Sequence, residues 1–318
     1  MLARRASGRT ATICKIDWPV PDYVGWSGTS ANSYSPFYDM TFTTKRDKCT
    51  DVDFALTNQP TRSGTNNYAT EHIYEIQMVK TFLTYMWEND DAIKKWRQQP
   101  ANTAKTECDL WQGFLWQDGT NPKWWDKSII KPSPIEYVLE ELSGGQNHIG
   151  EMVYLEDKMN NVKGNMFGDK VKWDLPTWED QIVVAARMAA TILYLQDPAV
   201  KKVYGDVSKR MYAVWGTFDI EADEEHKDPN LKKVKFQDGY IKWETEFIRG
   251  METNWKNQPG RQAKEAENTI RQSRAKSLSD IKIADNIALQ RTTPTGKFNP
   301  ANLLFATELL AWYTGTRP

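Results

Sequence analysis

Three cysteines and three histidines in 318 residues leave little material for soft-metal chemistry. Cys14, Cys49 and Cys108 are too few and too widely spaced for a zinc site or a disulfide framework. One pair can bridge and leave one thiol over. An excess of charge is also lacking. Forty-one basic residues face 42 acidic ones, for a net charge of −1. That excludes a protein that holds nucleic acid by bulk charge, because counterion release needs a positive face. Long hydrophobic runs are missing too: no stretch approaches the ~20 apolar residues that a bilayer span requires. The best run, 182–195, is interrupted by Arg187 and reads as a buried helix. Residues 1–8 have no apolar core of a signal peptide, so a secreted form would be a mature one, with Arg4-Arg5 as the remnant of a dibasic processing site. There is no phosphate-cradling glycine loop, nucleophile elbow or redox cysteine pair.

What is present is a globular balance, with 40% hydrophobic and 26% charged residues and 14 tryptophans. Most of those tryptophans are expected in the core, where their large apolar rings belong. Residues 1–68 are rich in turn formers and read as ordered loop, with short strands at 13–18 and 40–44. A helical body over 69–318 then completes a single domain. Its first helix is expected over 71–88, where Ile76, Val79, Phe82, Leu83 and Met86 recur at three-and-four spacing and Thr70 can cap. Further helices are expected at 134–142, 156–163, 198–215, 241–257, 262–276 and 301–312. Thr177-Trp-Glu-Asp has the form of a capping box and starts a helix to Leu195. An acidic surface turn is expected at 221–228. The sum is an α+β fold, predominantly α-helical, with helices around a small ββα-like element.

Two fragments carry the chemistry. One is Tyr68-Ala-Thr-Glu71-His72-Ile-Tyr-Glu75-Ile-Gln77. The other runs from Gly144-Gly145 through Asn147, His148, the apolar strand 152–155 and Asn160 to Lys163-Gly164. The second resembles the back half of an HNH (ββα-metal) nuclease motif, in which a Gly-Gly loop with an Asn leads into a strand and a helix presenting Asn and then Lys-Gly. Glu71-His72 is similar to the acidic-His pair of the front half. The resemblance implies His72 as general base, Glu71 and Asn160 as metal ligands, Lys163 as a phosphate contact and Asn147 as a brace of the loop. The cofactor implied is a divalent cation of the Mg²⁺ kind, since hard oxygen ligands suit it and a phosphodiester needs its charge offset. A neutral imidazole can take the proton of water near pH 7. About seventy residues separate the two halves, an insertion whose closure cost grows only logarithmically. Glu156 and Met159 stand where zinc-braced members keep cysteines, so no structural zinc is expected.

The run Thr70-Glu-His-Ile-x-Glu-x-Gln also resembles a signature of secreted fungal proteins, some joined to chitinase or killer-toxin-like enzymes, which implies an extracellular toxin or effector domain. Two further features point to partners. Trp111, Trp116, Trp124 and Trp125 lie in a polar stretch and could stack on sugars, the mark of a non-catalytic module that binds glycan or protein. Arg271 and Arg274, with Lys264, line one side of the 262–276 helix and could meet a phosphate backbone, as could His148. The expected function is therefore phosphodiester hydrolysis on nucleic acid, with the glycan- or protein-binding module as the alternative.

Overall fold

Strand pairing, rather than helix, claims the segment where the first long helix is expected to begin. In the computed structural model of the chain, Tyr68–His72 is a five-residue strand laid antiparallel on Met152–Glu156. The helical periodicity of 76–86 is real, but the helix starts only at Gln77. Five residues of ladder outweigh the helical reading of 71–76, as tertiary context often does with local preference. The structure describes residues 10–13, 16–19, 36–42, 54–60, 67–115, 134–144, 147–168, 175–225, 228–273, 277–293 and 297–298.

The strands are β1 (Thr10–Ile13), β2 (Ile16–Pro19), β3 (Phe37–Phe42), β4 (Phe54–Gln59), β5 (Tyr68–His72) and β6 (Met152–Glu156). β1 and β2 form a hairpin; the other four make one sheet in the order β4-β3-β6-β5, with only the β3–β6 pair parallel. The helices are α1 (Gln77–Asn89), α2 (Asp91–Arg97), α3 (Glu107–Leu115), α4 (Pro134–Glu140), α5 (Asp157–Phe167), α6 (Trp178–Gln196), α7 (Pro198–Glu225), α8 (Phe236–Trp255), α9 (Gln258–Gln272) and α10 (Leu278–Thr292). The fold is α+β and predominantly helical. Among the described residues no helix is long and apolar enough to cross a membrane.

The period-2 alternation of strands divides the sheet into two faces. Tyr38, Met40, Val153 and Leu155 join the large core made with the helices. On the other face Phe37, Tyr68, Met152 and Tyr154 form a small cluster of their own. There the rings of Phe37 and Tyr154 stack with centroids 4.5 Å apart, and the Tyr68 hydroxyl donates to Asp39. The helical core is aromatic. Phe82 of α1 meets Trp215 of α7 at 4.8 Å and Tyr240 and Trp243 of α8 at 5.3 and 5.4 Å. Each such buried ring is worth on the order of 2–3 kcal/mol of transfer free energy. Trp111, Trp215 and Trp255 are fully buried, as packing demands of them.

Caps fix the helix ends. The Thr177 side chain accepts from the Asp180 N–H at the start of α6, and Ser277 with Asp280 makes a full capping box on α10. α6 packs on α9, and α9 on α10, so the helices stack away from the sheet. Three further expectations are corrected; the first is the single strand over 13–18, which is split between β1 and β2, paired antiparallel with Ile13 opposite Ile16. Residues 221–225 continue α7 instead of forming an acidic turn, and the basic helix ends at Gln272, four residues short of the expected limit. The helix expected at 301–312 lies outside the described residues.

Candidate functional site

β5, β6 and α5 form a ββα unit, and it brings the two chemistry-bearing fragments together. β6 runs directly into α5, with the Glu156 carboxylate accepting from the Met159 N–H as the helix cap. α5 turns back under the core face of the sheet. Two turns in, Lys163 reaches the end of β5.

Its ammonium donates to Glu71 Oε1, to the His72 carbonyl at 2.7 Å and to Glu75 Oε1 at 2.7 Å. An ammonium has three donors, and here each has its acceptor within the chain. Lys163 is fully buried and Glu71 nearly so. Burial pushes the Glu71 carboxyl well above the ordinary range, Lys163 opposes this, and neighbouring Glu75 reinforces it. For Lys163 burial favours the neutral amine, but the two carboxylates outweigh it and hold the ammonium charged. These two upward shifts agree chemically. One ammonium shared between a buried and a half-buried carboxyl offsets the burial of Glu71 only in part. Tyr194 of α6 lies beside this cluster, its phenol held protonated by burial and by the charge of Glu71.

The residues expected to share one ion do not converge. Glu71 pairs across the ladder with Val153 and so takes the core face; His72 pairs with Met152 and takes the opposite one. His72 is only 7% exposed. Asn160 stands half-buried on the flank of α5, one turn before Lys163. Among the described residues no group of three or more His, Cys, Asp or Glu side chains is placed to hold a metal ion. A divalent cation does not fit at Glu71, because a buried ammonium already occupies its carboxyl and would repel a second cation. Lys163 cannot meet a phosphate from this position, since it has neither exposure nor a spare donor.

The remaining candidates are dispersed. Asn147 is exposed in the turn before β6. His148 belongs to a separate polar cluster, 3.2 Å from Glu141 and 3.6 Å from Glu151, where Arg210 of α7 grips Glu151 with two bonds of 2.9 and 2.7 Å. Arg271 is paired with Glu267 at 3.0 Å and Asp285 at 2.8 Å, and Lys264 also meets Glu267. These basic side chains of α9 are thus paired within the fold, although both stay nearly half exposed. Arg274, Trp116, Trp124 and Trp125 lie outside the described residues. Trp111 is buried and donates to Glu107, so it offers no face to a sugar.

Sequence reasoning missed two groups. Glu75, four residues after Glu71, completes the Lys163 cage. Glu244 of α8 is fully buried among hydroxyls: Ser208 and Tyr204 donate to it at 2.7 and 3.0 Å, Tyr240 lies at 3.4 Å, and Tyr74 is bonded to Tyr240 at 2.8 Å. The signal for Glu244 was its phase, since it stands in the buried stripe of Tyr240, Trp243, Ile248, Met251 and Trp255. The segment 71–77 therefore ties together helices around the one large core, through Glu71 and Glu75 to α5 and through Tyr74 to α7 and α8.

Comparison with family models, with curated proteins and with solved structures finds no match to this chain.

Proposed function

We propose that this protein is a non-catalytic secreted module that binds a protein partner, and that its ββα unit is a structural clip instead of a phosphodiesterase centre. The observation that carries this reading is the closed Lys163 cage. The residues that most resemble a nuclease motif spend their charge on one another inside the core, where neither a phosphate nor an ion can reach them. Burial of Trp111 removes one of the four tryptophans from a glycan face, and the exposed Leu278, Ile281 and Leu289 of α10 favour a protein partner. Secretion enters through the Thr70-Glu-His-Ile-x-Glu-x-Gln resemblance.

The test is nicking of supercoiled plasmid by the purified chain, with Mg²⁺ or Mn²⁺ and with EDTA, beside His72→Ala. The expected result is no metal-dependent cleavage by either protein and no change of melting temperature with Mg²⁺. Metal-dependent nicking that a folded His72→Ala variant has lost would overturn the reading and restore the nuclease.

A further inference from the structure

α10 caps the stack built on α6 and α9, and its two sides differ sharply. Ile283, Ala284 and Ile287 face α9 and are buried. On the reverse side Leu278, Ile281, Lys282, Asp285, Leu289 and Thr292 are all exposed. At 100° per residue these six fall on one face about a third of the helix wide. Leu278 is 80% exposed and Leu289 56%, one at each end of the helix, with the two charges between them.

That spacing is self-complementary. We infer that this face pairs with the same face of a second copy of the chain, the two α10 helices running antiparallel across a two-fold axis. The register that sets Leu278 of one copy against Leu289 of the other also sets Lys282 against Asp285. Both contacts occur twice by symmetry, and Ile281 from each copy flanks the axis. Such an isologous contact needs one patch complementary to itself, the commonest basis of soluble oligomers. Arg271 already donates to Asp285 Oδ1, leaving Oδ2 for the second copy's lysine. The central charge pair also opposes a parallel arrangement, in which Lys282 would meet Lys282 and Asp285 would meet Asp285. The inference rests on the protein-binding reading above and names the first partner of that surface.

The experiment is sedimentation velocity of the full chain over a concentration series, with Leu289→Glu and Lys282→Asp as variants, and a cross-linking arm. In that arm, copies bearing Leu278→Cys are mixed with copies bearing Leu289→Cys under mild oxidation. The unmutated chain and each cysteine variant alone control for the native cysteines. A concentration-dependent dimer is expected, weakened at least about tenfold by Leu289→Glu, with cross-linking fastest in the mixed sample. All these positions are exposed, so the variants should keep the wild-type circular dichroism. A chain that stays monomeric up to its solubility limit, or a mixed sample no faster than its controls, would overturn the pairing. Neither result bears on plasmid nicking, which tests the underlying reading separately.

Discussion

Lys163 of α5 and Glu71 of β5 lie 92 residues apart in sequence and meet in a buried ion pair that Glu75 shares. Taking away the ammonium leaves a buried and a half-buried carboxyl with no cation. Lys163→Met should therefore cost about 3–5 kcal/mol, the usual penalty for breaking a buried pair from one side. Glu71→Gln should cost much less, roughly 1 kcal/mol, because burial already opposes the charge of Glu71 and an amide oxygen still accepts from Lys163. Urea unfolding of both variants decides it. A Lys163→Met variant as stable as wild type would mean that the cage is not what fastens β5 to α5.

Glu244 gives the fold a pH signature. Burial pushes its carboxyl up to about 7, against the pull of the Ser208, Tyr204 and Tyr240 hydroxyls. In the unfolded chain it titrates near its ordinary value of 4.5. Between those values the folded state binds more protons than the unfolded state, so stability falls as pH rises. The contribution is fully present below about 4.5, lost progressively up to about 7, and worth about 3 kcal/mol across the window. Glu244→Gln keeps acceptors for the hydroxyls but cannot ionise. Its stability relative to wild type should improve by that amount between pH 4.5 and 7.5. Parallel pH profiles of the two proteins would sink the assignment.

How far the sequence showed this can be read from particular residues. The resemblance of 68–77 and 144–164 to two halves of one motif implied a shared site for Glu71, His72, Asn160 and Lys163, and of these the fold brings Glu71 and Lys163 into contact. Their roles were not legible, because exposure decides them and a one-residue step along β5 sends Glu71 and His72 to opposite faces. β5 itself was hidden by the apolar periodicity of the helix that follows it. Ser277-Leu-Ser-Asp280, by contrast, is a readable helix start, yet α10 was not anticipated. On α9 the diluting Glu267 is legible in the sequence, whereas the pairing of Arg271 with Asp285 of α10 needs the fold.

Glycines separate motif from packing. Gly164 follows Lys163 in the middle of α5, and a Cβ added there would meet nothing within 4 Å. Gly164→Ala should stabilise the protein by about 0.5–1 kcal/mol through helix propensity alone. At Gly239 of α8 the same change drives a methyl into the Met86 side chain of α1, which is buried and has little room to yield. Gly239→Ala should cost about 1–3 kcal/mol from overpacking, and Met86→Ala should recover part of that loss in the double variant. Thermal melts of the three proteins check both signs. If Gly164→Ala destabilises as much as Gly239→Ala, something approaches α5 more closely than its neighbours in the fold do.

Arg210 ties three segments at the edge of the core. Its Nη1 and Nη2 donate to the two oxygens of Glu151, and its Nε donates to the Glu141 carbonyl at 2.6 Å. α7 is thereby fixed to the end of α4 and to the turn that leads into β6. The Arg210 side chain is 19% exposed and that of Glu151 20%, so salt screens the pair only in part. Arg210→Ala should cost about 1.5–3 kcal/mol, the range for hydrogen bonds to charged groups. Arg210→Lys should recover less than half of that, because a single ammonium cannot reproduce the planar fork that spans both oxygens and the carbonyl. Denaturant unfolding of the two variants at low and at high salt would show the difference. Equal stability of the lysine variant and wild type would mean that charge alone, and not the fork, holds α7 to β6.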